Sequence, residues 1–104
     1  MNTQESGSMK GLTKEIPVYI RRLNEKELYL RVRKVDLEKV GLKDQDLIRL
    51  YIEGSHSIQG KVRIKNSNAW IAPDGGYSNR EITRTLYDAG YQDKDDKIAR
   101  FEMR

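Results

Sequence analysis

Cations and aromatics recur at every second position along four stretches of this sequence. Tyr19 and Arg21, then Tyr29, Arg31 and Arg33, then Arg49 and Tyr51, then Lys61, Arg63 and Lys65 each alternate with apolar residues. Successive side chains of a β-strand point to opposite faces, so each stretch offers one apolar face and one basic, partly aromatic face. Guanidinium and ammonium groups on such a face neutralise phosphates and release counterions, arginine forks match guanine edges, and tyrosine stacks or bonds to phosphate. If the strands adjoin, Arg21, Tyr29, Arg31, Arg33, Lys61, Arg63 and Lys65 form one nucleic-acid-binding field, and strands are an established means of entering a DNA groove. The alternation also has a plain structural use, because exposed strand faces are polar and lysine and arginine protect sheet edges.

Other chemistry is sparse. Asp74-Gly75-Gly76 precedes a helix start, so Gly75, Gly76 and Arg80 form a candidate anion site where backbone N–H groups meet the positive helix end. The stretch lacks the glycine spacing and lysine of a P-loop, and a turn that merely leads into an N-cap is the more economical reading. Arg84 follows Arg80 by one turn and precedes Asp88 by four residues, the spacing of a solvated ion pair. His56 is the only histidine, which excludes a histidine triad and a multi-histidine metal site. Asp93, Asp95 and Asp96 lack the ligand spacing of a calcium loop and read as an acidic turn. Glu25 with Glu27, or Asp36 with Glu38, have nothing nearby in sequence to raise a carboxyl pKa or to form a cleft. Trp70 reads as a core anchor beside Ile71. The expectation is a protein with no catalytic residues, no metal and no cofactor.

With 104 residues there is room for one core. Charged residues, at 35%, nearly equal the 37% that are hydrophobic, so that core is thin. Zero cysteines remove disulfides and thiol chemistry and agree with a reducing, cytoplasmic location. Met1 to Gly11 has no apolar run of the kind a signal peptide needs, and no later stretch approaches the roughly 20 apolar residues of a membrane span. Net charge is +4, which permits polyanion binding without requiring it. Its distribution says more. Residues 17–35 set Arg21, Arg22, Lys26, Arg31, Arg33 and Lys34 against Glu25 and Glu27, whereas residues 36–53 carry five carboxylates against three cations.

The elements that would position these residues follow from periodicity. The first eleven residues have no apolar face and are set aside as a tail. Strands are expected from Ile16, with Pro17 at the start, over Leu28 to Arg33 as the second arm of a hairpin, and over Leu47 to Glu53. Further strands are expected over Lys61 to Lys65, Ala69 to Ala72 and Lys97 to Arg104. The last of these lacks clean alternation. A short helical turn is expected at about 36–41, capped by Asp36 and stopped by Gly41. A longer helix at about 79–89 opens on the capping box Ser78-Asn79-Arg80-Glu81 and ends at Gly90.

Residues 12–104 then form a single domain in two half-repeats, 17–54 and 60–104. Gly41-Leu42-Lys43-Asp44-Gln45-Asp46 ahead of Leu47 is echoed by Gly90-Tyr91-Gln92-Asp93-Lys94-Asp95-Asp96 ahead of Lys97, the second copy read as one residue longer. This pattern resembles the half-domains of the SpoVT/AbrB-like transition-state regulators, read as a strand, a proline, a short helix, Gly-Leu, Gly-Asp and a strand. Ile71, Pro73, Leu86, Gly90, Tyr91 and Asp95 or Asp96 match it, as do Leu30, Val32, Val40, Gly41, Leu42 and Asp46. The first half has no proline, Gln45 stands where the family prefers glycine, and Asp74 to Tyr77 is an insertion. The resemblance implies a swapped-hairpin or cradle-loop barrel, made in the family by two chains, and DNA binding in transcription regulation. The expected fold is α+β and mainly β, a small barrel-like sheet of short strands. The expected partner is double-stranded DNA, with RNA presenting the same phosphates and a homodimer or protein partner left open. The alternative function is a protein-interaction module, such as an adaptor or an antitoxin-like partner.

Overall fold

A computed structural model describes residues 14–53 and 56–104; the tail assigned to the first eleven residues lies outside them. Six strands form the barrel: β1 (Lys14–Arg22), β2 (Leu28–Val32), β3 (Leu47–Tyr51), β4 (Ser57–Lys65), β5 (Asn68–Pro73) and β6 (Asp96–Met103). Two helices accompany them, α1 (Lys34–Lys39) between β2 and β3, and α2 (Asn79–Asp88) between β5 and β6. Every pairing is antiparallel, and the strands close in the order β1-β2-β5-β4-β3-β6. The mainly-β barrel with one capped helix and one short one is the expected architecture.

Alternation sorts the side chains. Ile16, Val18 and Ile20 of β1, Leu28, Leu30 and Val32 of β2, Ile48 and Leu50 of β3, and Ile58 and Val62 of β4 all point inward and are buried. Ala69 and Ile71 of β5 and Ala99 and Phe101 of β6 complete the lining. β4 starts four residues earlier than its alternation suggests because Ile58 also faces the core. Gly60 is the one inward position of β4 without a side chain; it pairs with Pro73, and a Cβ there would run into the Ile71 side chain. The poor alternation of β6 has a physical source: Ile98 is apolar yet points outward, 57% exposed, while Lys97 takes the parity of the inward Ala99 and Phe101.

The two halves exchange under a two-fold pattern of pairing. β1 joins β2 and β6 just as β4 joins β5 and β3, while β2 meets β5 and β3 meets β6. The registers agree residue by residue. The pair Arg21 and Tyr29 corresponds to Arg63 and Trp70, Ile20 and Leu30 to Val62 and Ile71, and Tyr19 and Asp96 to Lys61 and Leu47. Leu30 with Ile71, and Tyr51 with Arg100, map onto themselves and so lie on the pseudo-axis.

The segments after the helices repeat in the same detail. Both helices end in paired bonds, Gly41 N–H to Glu38 O with Leu42 N–H to Leu37 O, and Gly90 N–H to Tyr87 O with Tyr91 N–H to Leu86 O. This closure needs a left-handed residue, and φ is 77° at Gly41 and 89° at Gly90. Next, Asp46 and Asp95 each accept from the backbone N–H three residues earlier, that of Lys43 and of Gln92. Asp44 and Asp93 accept from the strand N–H groups of Ile64 and Arg22. Gln45 and Lys94 sit at φ of 80° and 76°, which ordinarily suits glycine. The two loops are of equal length, a correction to the extra residue read in the second copy: Asp96 is already the first residue of β6.

α1 begins two residues before the expected turn. Arg33 is its N-cap, without a side-chain cap bond, and Asp36 lies inside the first turn with its carboxylate committed to the Arg33 guanidinium. α2 opens on the expected capping box, in which Ser78 Oγ accepts from Glu81 N–H while Glu81 Oε1 accepts from Ser78 N–H. Its Ile82 and Leu86 enter the core. Buried Thr83 ties the helix to β2, its hydroxyl accepting from Leu28 N–H at 3.0 Å and donating to Leu28 O at 3.2 Å. Thr83→Val keeps the volume but strands the Leu28 N–H, so urea unfolding is expected to show a loss of about 1–3 kcal/mol. An unchanged midpoint would mean that this bond does not hold the helix on the sheet.

Candidate nucleic-acid interface

Four neighbouring strands, β1, β2, β5 and β4, follow one another around the barrel, and register fixes what stands on their outer side. One row across them is Tyr19, Arg31, Trp70 and Arg63, each paired with the next. Arg21 pairs with Tyr29 on one side of the adjoining row, and Ala72 pairs with Lys61 on the other. Lys65, opposite Asn68, closes β4, and Arg33 directly follows β2. Tyr19, Arg21, Arg31 and Arg33 thus surround one hollow on the β1-β2 side, with Tyr29 paired beside Arg21, whereas Lys61, Arg63 and Lys65 stand on β4, three strands from β1 in the closed six-strand ring.

Arg49 and Tyr51 do not join these residues. They lie on β3, where Arg49 faces Gln59 and Glu102, and Tyr51 carries the Arg100 guanidinium 4.4 Å from its ring centroid. Trp70 does join them, a correction to its reading as a core anchor. Ala69 and Ile71 take the inward positions of β5, so Trp70 points out between Arg31 and Arg63, half-buried, with the Arg63 guanidinium 5.8 Å from its ring centroid. A tryptophan inside Ala-Trp-Ile-Ala shows no period by itself; only the paired strand reveals its side.

Three of the six cations have carboxylate partners. Arg21 Nη1 lies 2.9 Å from Asp96 Oδ1, Arg63 Nε lies 3.3 Å from Asp44 Oδ1, and Arg33 holds Asp36 through both Nε and Nη2 at 2.7 and 3.0 Å. Arg31, Lys61 and Lys65 have no ion pair among the described residues. The pairs differ in kind. Asp44 is engaged first by the Ile64 N–H at 2.8 Å, which together with Gln45 and Arg63 holds its carboxyl below the usual range despite some desolvation. Arg21 and Asp96 are both partly exposed, so water screens their attraction. Arg33 with Asp36 is the structural pair, because Asp36 is only 5% exposed.

Two concavities mark the face. One, of about 240 Å³, is lined by Tyr19, Arg21, Arg31 and Arg33, three guanidiniums and a phenol around a single hollow. The other, of about 300 Å³, is apolar and lined by Leu23, Tyr29, Trp70, Ala72, Pro73 and Asn79 among others. The candidate anion site at Gly75, Gly76 and Arg80 has a different layout. Arg80 lines a hollow with Ser78, Glu81 and Arg84, whereas Gly75 abuts Gln59 and Arg104, and Arg104 is paired with Asp74 at 2.7 Å. The helix terminus already holds an anion of its own, the Glu81 carboxylate on Ser78 N–H. Arg84 makes no ion pair with Asp88 among the described residues.

His56 is exposed beside β4, and no group of three His, Cys, Asp or Glu side chains among the described residues is placed to hold a metal ion. Asp93 and Asp95 spend their carboxylates on backbone N–H groups. No described helix is long and apolar enough to cross a membrane. The chain matches no family model, no curated protein and no solved structure.

The Arg33 hydrogen bond, against the opposing effect of burial, holds the Asp36 carboxyl below its ordinary value. A depressed carboxyl stabilises the fold at pH above the unfolded value of about 3.9, and that stabilisation is lost as pH falls through the lower folded value. Thermal unfolding followed from pH 7 downward is expected to show a melting temperature that falls below about pH 4. Asp36→Asn should melt lower at neutral pH and lose part of that acid dependence; equal pH profiles would show that the pair carries no linked stability.

Proposed function

We propose that this chain is a non-enzymatic DNA-binding protein that contacts phosphates through the outer face of β1, β2, β5 and β4. The observation that carries this reading is the hollow walled by Tyr19, Arg21, Arg31 and Arg33, continued across Trp70 by Arg63 and Lys61. Phosphate oxygens accept several N–H donors at once, and arginine forks match that geometry. Arginines scattered only for solubility have no reason to gather three to a hollow with a tyrosine, as Arg21, Arg31 and Arg33 do beside Tyr19. Arg31, Lys61 and Lys65 are ready to meet phosphates; Arg21 and Arg63 must exchange exposed carboxylates for them, a small cost at a wet surface. Arg33, held by buried Asp36, shapes the rim of the hollow more than it is free to move.

The two-fold pairing of half-domains is the arrangement that the resemblance to the SpoVT/AbrB-like regulators leads one to expect, and it supports a role in regulation. Here a single chain supplies both halves of the barrel.

Binding to a short duplex is expected to weaken with added salt, log K falling against log salt with a slope of about −3 to −5, as three to six phosphates are neutralised. The triple variant Arg31→Ala, Lys61→Ala, Lys65→Ala should flatten that slope by about two to three. An affinity that does not depend on salt, or a variant that binds like the parent, would overturn the proposal.

A further inference from the structure

The second hollow on this face has no part in phosphate contact. Tyr29 and Trp70 are equivalent positions of the two halves, placed on either side of the Leu30 and Ile71 pair that lies on the pseudo-axis. Beside them the sequence puts a small residue, Ala72, which leaves the gap between the two rings unfilled. Leu23, 51% exposed, and Pro73 form its apolar rim. A polar group stands at the edge. Asn79 Nδ2 donates to Leu28 O at 3.1 Å and to Glu27 Oε1 at 3.2 Å, bonds that fix the amide and leave Oδ1 as its remaining acceptor.

An apolar, aromatic-walled slot with one hydrogen-bonding edge suits a flat heterocycle whose rim carries N–H groups. Charge decides what that heterocycle is attached to. Arg31 pairs directly with Trp70 and Arg21 with Tyr29, so the slot opens beside the arginine hollow. Tyr29 and Arg31 stand two residues apart on one strand, roughly 7 Å, which puts a base and its own phosphate within reach of the two hollows together.

Resting on the reading of this face as a nucleic-acid contact, we infer that the Tyr29 and Trp70 slot takes one unstacked nucleobase. The preferred ligand is therefore single-stranded nucleic acid over an intact duplex. Bases inside a duplex are covered above and below and cannot enter without being flipped out. In a single strand they are free to stack on aromatic side chains, at about 1–3 kcal/mol per base.

Trp70 is the only tryptophan of the chain, so its fluorescence reports the slot directly. The test is titration with a thymidine homopolymer, an abasic strand of the same length and a duplex of the same length, at one salt concentration. The homopolymer is expected to quench Trp70 and to bind roughly 5- to 150-fold more tightly than the abasic strand, the range set by stacking one base. Ala72→Leu, which fills the gap, should remove most of that advantage and leave abasic affinity unchanged, with circular dichroism showing an intact barrel, and Tyr29→Ala should weaken the homopolymer more than the abasic strand. Equal binding of all three polymers with unquenched Trp70 would overturn the slot and leave the phosphate contacts standing. Binding of none of them would overturn both.

Discussion

The pairing of β2 with β5 is the seam on which the molecule depends. Each hairpin, β1-β2 and β4-β5, is a local structure, and two-stranded hairpins are marginal alone in water. Setting Leu30 against Ile71, with Arg31 against Trp70 and Val32 against Ala69, turns two hairpins into one four-stranded sheet. Leu30 and Ile71, fully buried, hold that register by the apolar surface they remove from water. A slip of one residue would send Trp70 and Arg31 into the core and bring Leu30 and Ile71 out, so a single hydrophobic pairing sets both stability and the composition of the outer face.

Closure through β3 and β6 reinforces the seam from the far side. Each strand has two neighbours, and no register can change without changing the next. The aspartates after the two helices act at the joints. Asp44 and Asp93 tie their loops to strand N–H groups, while Gln45 and Lys94 N–H donate to Val62 O and Ile20 O, whose own N–H groups donate to Asp46 O and Asp95 O. Acidic side chains that look from composition like counterweights to the basic face are thus mostly structural. Asp44, Asp46, Asp93 and Asp95 use their charge on backbone donors, and among the described residues only Asp96, Asp36 and Asp44 reach an arginine of the face.

Much of this was legible because the barrel keeps one periodicity wherever a strand has one wet side. β1 to β4 alternate cleanly, and the Ser78 to Glu81 box announces α2. Legibility stops where packing departs from that pattern. In β6, Ile98 faces outward opposite Ala99 and Phe101, so apolar residues stand on both sides. In β5 the outward Trp70 is hidden in an apolar run. At α1 an aspartate of the right type for a cap is recruited by Arg33 instead. The partners of Arg21 and Arg63, Asp96 and Asp44, are 75 and 19 residues away, so no local pattern reveals which cations are paired. The candidate site was legible as a set of residues, but its division into an arginine hollow and an aromatic slot depends on cross-strand neighbours.

Amide chemical-shift mapping on addition of a short DNA oligonucleotide tests the central claim most directly, namely that ligand meets the face made by the β2 and β5 seam. The expected perturbations cluster on Arg21, Tyr29, Arg31, Trp70, Lys61 and Arg63, with the Trp70 indole among them and β3, β6 and the exposed side of α2 unaffected. Perturbations centred on Arg80 and Arg84, or on Tyr51 and Arg100, would contradict it.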